Sequence, residues 1–124
     1  MVRAFLDLPH STAEADVGPI IEHRPGELTV RYDVEGENGI VWTSPSFDGA
    51  IASRFTPAAA CETWMVEAYS RVCVVEESPW VKELHQVSSR HRERIPDDLR
   101  HMLVYFDHHG CLEVLARGAQ IDKP

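Results

Sequence analysis

Basic residues are scarce in this chain: twelve lysines and arginines stand against twenty aspartates and glutamates, a formal net charge of −8. A surface of that sign repels phosphate backbones, so nucleic acid is not an expected partner, whereas a basic or neutral one is. Long apolar runs are missing too. None approaches the roughly 18 residues of a spanning helix. The N-terminal "MVRAFLDLPHSTAEAD" has a short apolar patch broken by Asp7 and Pro9, unlike the hydrophobic region of a signal peptide. The expectation is a soluble, cytoplasmic protein with no membrane contact. Cysteine is sparse and odd in number: Cys61, Cys73 and Cys111 form no C-x-x-C pair, which speaks against a disulfide framework or a zinc knuckle and for free thiols. No G-x-S-x-G frames Ser44 or Ser46, and no glycine-rich phosphate loop occurs. No cofactor is expected.

What is present suits one globular domain, residues 1–124, with 44% hydrophobic and 26% charged residues. A chain of this length buries roughly two thirds of its unfolded surface. Residues 1–26 read as an irregular lead-in rich in proline and glycine, in which "PIIEH" pairs briefly as a strand. In "ELTVRYDVE" apolar Leu28, Val30, Tyr32 and Val34 alternate with polar residues, the period of a strand. "GENG" supplies a turn and "IVWTS" a partner strand. "FDGAIASRF" predicts one further strand with Phe47, Ile51 and Phe55 on a common face and Gly49 as a bulge. Thr56 and Pro57 suit the start of a helix that buries Cys61, Trp64, Met65 and Ala68. "SRVCVVEE" predicts a strand. Ser78 and Pro79 open a second helix, with Trp80, Leu84 and Val87 on one face and the basic "RHRER" at its end.

The densest group of potential ligands is Asp107-His108-His109-Gly110, between "LRHMLVYF" and "CLEVLARG". Register tests whether it is a site or a turn. A three-residue loop, His108 to Gly110, pairs Phe106 with Leu112, Val104 with Val114 and Met102 with Ala116, and so segregates apolar side chains on one face. The opposite face then shows Tyr105 beside Glu113, Leu103 beside Leu115 and His101 beside Arg117, a partly exposed surface. Aspartate and glycine both fit turn positions, so the expectation is a hairpin turn with two solvent-facing histidines and no metal. "DHH" is also a signature of the DHH phosphoesterases, but those chains are far longer and carry further aspartate motifs that are lacking here.

Other reactive side chains have plainer readings. His85 and His91 lie six apart, not at ligand spacing on a helix, and read as surface residues. Cys61 near a helix start could be a nucleophile, yet after three alanines it reads as small core filler. Cys73 reads as strand filler. Glu76-Glu77 and Asp97-Asp98 flank helix ends as solvated charge, and Trp42, Trp64 and Trp80 read as core packing.

The combination of "FDGAIASRFTP" with "LVYFDHHGCLEVLA" resembles short bacterial α+β proteins, some of which accompany polymorphic toxins as immunity proteins. The resemblance spans about residues 28–121, rests on hydrophobic pattern, and carries no catalytic signature. It implies a protein that acts by binding another protein, and acidic charge suits a basic partner.

The fold expected is α+β, with a mainly antiparallel sheet of about five or six strands and two helices packed on one face. The function expected is a non-enzymatic interaction module that binds a basic protein through the acidic first hairpin, Asp33, Glu35 and Glu37. The alternative is a small-molecule binder or small enzyme with a pocket between sheet and helices, using Arg54, His101, Tyr105, Cys111 and Glu113.

Overall fold

The structure is a computed structural model that describes residues 2–12, 18–89 and 95–121. The basic run at 90–94, with His91, lies outside them, so neither the expected end of the second helix nor that histidine is described. In chain order the elements are β1 (Val2–Asp7), β2 (Ile20–Arg24), β3 (Gly26–Gly36), β4 (Gly39–Thr43), β5 (Pro45–Ala50), β6 (Ala52–Pro57), a 3-10 turn (Ala58–Ala60), α1 (Thr63–Val66), β7 (Arg71–Val75), α2 (Pro79–Ser88), β8 (Arg100–Phe106), β9 (Gly110–Ala116) and β10 (Gly118–Ile121). The fold is α+β and its sheets are antiparallel in every pairing of these strands.

The expectation of one sheet with five or six strands is corrected: the ten described strands form two sheets of five. One has the order β1-β7-β8-β9-β6, the other β10-β5-β3-β2 with β4 paired to the far half of β3. Two local features conceal this from the sequence. "FDGAIASRF" is not one strand. Gly26 lies opposite Ala50 but Glu27 opposite Asp48, which leaves Gly49, at φ 63°, as the extra residue of a bulge. Past it Ile51 N–H donates to Leu115 O at 2.9 Å and Arg117 N–H to Asp48 O at 2.8 Å, so β5–β6 and β9–β10 cross together from sheet to sheet. Phe47 therefore enters the core, while Ile51 and Phe55 stay exposed. The second feature is β1, absent from the expected lead-in. Ala4 faces Cys73 and Leu6 faces Val72, so a bulge at Phe5 breaks the alternation that would have announced a strand.

The predicted first hairpin is longer than its turn suggests. Tyr32 lies opposite Thr43 and Thr29 opposite Ser46, so β4 and β5 continue one register along β3 with "GENG" at the tip. The first helix is shorter than expected. Thr56 and Pro57 belong to β6, opposite Cys111 and Gly110, and Glu62 is the N-cap of α1. Proline is tolerated there because β6 ends its sheet and needs no donor on its outer side. α2 starts as predicted, with Pro79 at N1 and the Ser78 hydroxyl accepting from Val81 N–H at 3.2 Å.

The main core lies between the sheets. Leu28, Val30, Tyr32 and Phe47 from one meet Val72, Met102, Val104, Phe106, Leu112 and Val114 from the other. Tyr32 and Phe106 pack edge to face at 5.4 Å, and the Tyr32 hydroxyl donates to His10 O at 2.9 Å. The helices lie on the other face of the first sheet, where Met65 and Ala68 meet Cys73, Leu103, Tyr105 and Cys111.

The β8–β9 turn also departs from expectation. Phe106 pairs with Gly110, Val104 with Leu112 and Met102 with Val114, two residues away from the predicted register. Face segregation survives because a shift of two preserves parity. The loop is Asp107 to His109, with His108 in the left-handed position at φ 67° and Gly110 also at positive φ, 146°. Gly110 is fixed by a third strand: a Cβ there would lie 2.1 Å from Thr56 O. Of the two histidines expected in solvent, His108 is 84% exposed, but His109 is partly buried with its ring against Gly18.

Candidate functional site

The face of β8–β9 predicted to be partly exposed is buried, and its pairings are Tyr105 with Cys111, Leu103 with Glu113 and His101 with Leu115. A charged chain runs through it. Glu113 is fully buried, and both its oxygens are used. Arg54 Nε donates to Oε2 at 2.8 Å and Arg54 Nη2 to Oε1 at 3.0 Å, while His101 Nε2 lies 2.8 Å from Oε1. Burial opposes ionisation of Glu113, yet the hydrogen bonds from His101 and Arg54 together outweigh it and hold the pKa down at about 2. The carboxylate is thus an acceptor, and His101 Nε2 donates to it.

The other ring nitrogen, Nδ1, lies 2.7 Å from the Ser78 hydroxyl. Because that hydroxyl also caps α2, the chain Arg54–Glu113–His101–Ser78 ties β6, β9, β8 and the start of α2 together. Trp80, two residues on, packs its ring perpendicular to that of His101, with centroids 5.3 Å apart, and presents its face to the Arg54 guanidinium at 4.2 Å. Among the described residues no buried side-chain nitrogen or oxygen lacks a hydrogen-bond partner. Such an ionic chain contributes little net stability against an apolar replacement, but it fixes geometry, since losing one member strands the others.

The chain is a scaffold with one accessible member. His101 and Glu113 are 3% and 0% exposed at the side chain, whereas Arg54 is 52% exposed. Tyr105 and Cys111 share the buried face without joining the chain. Burial pushes the Cys111 thiol well up, and it pushes Cys61 up as well, against a backbone hydrogen bond from Cys111 that lowers it. Cys61 Sγ donates to Thr56 O at 3.4 Å. These thiols are protonated packing groups, not activated nucleophiles. All three cysteines are free, and Cys73 is buried as expected. Among the described residues no three of His, Cys, Asp and Glu converge to hold a metal ion.

The acidic hairpin divides. Glu35 and Glu37 are exposed, but Asp33 is 1% exposed, which corrects its assignment to a partner-facing surface. Alternation explains why the sequence misleads: Asp33 lies on the polar side of β3, yet it is opposite Trp42 of β4. Arg31, on the same side, stacks on the Trp42 ring at 5.0 Å. Trp42 itself, expected in the core, is 43% exposed, beside Val41 at 38% and Ile40 at 64%. Nothing in "IVWTS" marks these three as exposed, because an apolar run reads the same whether or not another element covers it. Trp64 and Trp80 are also only half-buried.

Comparison of the chain with protein-family models, with curated proteins and with solved structures gives no match. Among the described residues no helix is long and apolar enough to cross a membrane.

Proposed function

We propose that the protein is a non-enzymatic interaction module that grips a protein partner with the β3–β4 arm. The observation that carries this reading is the exposed run Ile40-Val41-Trp42, on a strand whose only described partner is β3. Soluble monomers rarely leave such a run and a free strand edge together without a use for them. Glu35 and Glu37 flank the run and, with the net charge of −8, favour a basic partner. An immunity-type inhibitor, the role implied by the family resemblance, is one such module. A cytoplasmic setting suits the three free thiols. Against a catalytic reading, the only histidine–carboxylate pair in the buried chain is out of reach of substrate.

A photo-crosslinking amino acid at position 42, in the source cell's lysate, tests this. The expected result is one dominant crosslinked protein that is not captured from position 87, on α2. Its yield should fall at least tenfold when Glu35→Lys and Glu37→Lys are added. Identical crosslinks from both positions, or none from position 42, would remove the arm as the binding surface.

A further inference from the structure

Between α1 and α2, on the outer face of the first sheet, lies a cleft of about 560 Å³, which is within the range of small-ligand sites. Its walls include Trp64 and Trp80, its floor includes Val75, and Glu67 and Glu83 stand at its edge with the Arg54 guanidinium. We infer that this cleft binds an organic cation, a primary ammonium or guanidinium carried on an apolar or planar body.

The argument is one of charge and shape. Arg54 would repel a cation, but its charge is matched at contact distance by the buried Glu113 carboxylate, through two hydrogen bonds. That leaves Glu67 and Glu83, both exposed, with no ion-pair partner among the described residues. The cleft therefore carries a net negative charge. Aromatic faces add to the same preference, because the ring quadrupole attracts cations and the rings cover an apolar body. Trp80 already holds the Arg54 guanidinium on one face, which shows the geometry that a ligand cation would adopt on Trp64. The buried chain keeps the walls in place: Ser78 fixes the start of α2, and Trp80 sits in its first turn. The site lies on the first sheet and the arm on the second, so this inference is independent of the proposed function.

The test uses the full chain with Trp42→Phe, which leaves Trp64 and Trp80 as the fluorescent reporters. Phenethylamine is titrated, with phenylacetate as the anion of matching shape. The expected result is a saturable change with phenethylamine, at least tenfold weaker with phenylacetate, and at least fivefold weaker for phenethylamine once Glu67→Gln and Glu83→Gln are introduced. Those two substitutions are at exposed positions and leave the core intact. No saturable change, equal affinity for the two probes, or an unchanged affinity in the double variant would overturn the inference. Blocked lysine and arginine amides, titrated alongside, separate the sources: tighter binding than phenethylamine points to a partner's side chain, weaker binding to a free amine.

Discussion

β8 and β9 are covered on both sides, yet their two faces are built from different chemistry. On one, Met102, Val104, Phe106, Leu112, Val114 and Ala116 meet the second sheet in a wholly apolar layer. On the other, Leu103, Cys111 and Leu115 share the space under the helices with His101 and Glu113. The first layer is held by removal of apolar surface from water, which is indifferent to orientation. In the second, hydrogen bonds specify where Arg54, α2 and Trp80 stand. Stability comes mainly from the first, and position from the second.

Truncation of the apolar layer should have the largest effect. Phe106→Ala removes a fully buried ring that packs on Tyr32, and a loss of about 3–5 kcal/mol in urea unfolding is expected. Glu113→Ala should cost about 3 kcal/mol, at the low end for a broken buried pair because half-exposed Arg54 regains water. If it costs under about 1 kcal/mol, loss of the carboxylate does not strand His101 and Arg54 as uncompensated partners.

Acid provides a related test. The folded pKa of Glu113 is depressed from 4.5 to about 2, so its contribution is complete above about pH 4.5 and fades as pH falls toward 2. At about 1.4 kcal/mol per pH unit the stake is about 3 kcal/mol. The stability gap between wild type and Glu113→Gln should therefore close across that window. A constant gap would show that the carboxylate's charge is not what matters.

Smaller effects sharpen the comparison. Ser78→Ala removes a helix cap and the outer partner of His101, with a loss of about 1–2 kcal/mol expected. The paired replacement His101→Leu with Glu113→Leu should lie within about 1 kcal/mol of wild type, since apolar groups of similar size substitute for buried ion pairs without much loss. It should instead loosen α2, seen as faster amide exchange at Val81 and Lys82. If the double variant is as unstable as Glu113→Ala, the ionic chain stabilises the fold in its own right.

Much of this was legible locally. The strand at Leu28–Val34, the α2 cap at Ser78-Pro79 and the hairpin around Asp107-His109 follow from alternation and turn chemistry. His101, Glu113 and Arg54 belong to the alternative pocket set expected from the sequence, but nothing local joins them, because Arg54 and Glu113 are 59 residues apart. The same limit hid the division of "FDGAIASRF", the strand at Val2–Asp7 and the burial of Asp33.

The sequence by itself determined parity within the regular strands β3, β8 and β9, and the start of α2, since both depend on neighbours a few residues away. Tertiary structure alone decided what covers each face, which register two strands adopt, and whether a charge lies in water or against a partner. Those outcomes depend on segments distant in the chain, and a period of two reads the same whether the polar side meets solvent or a buried guanidinium.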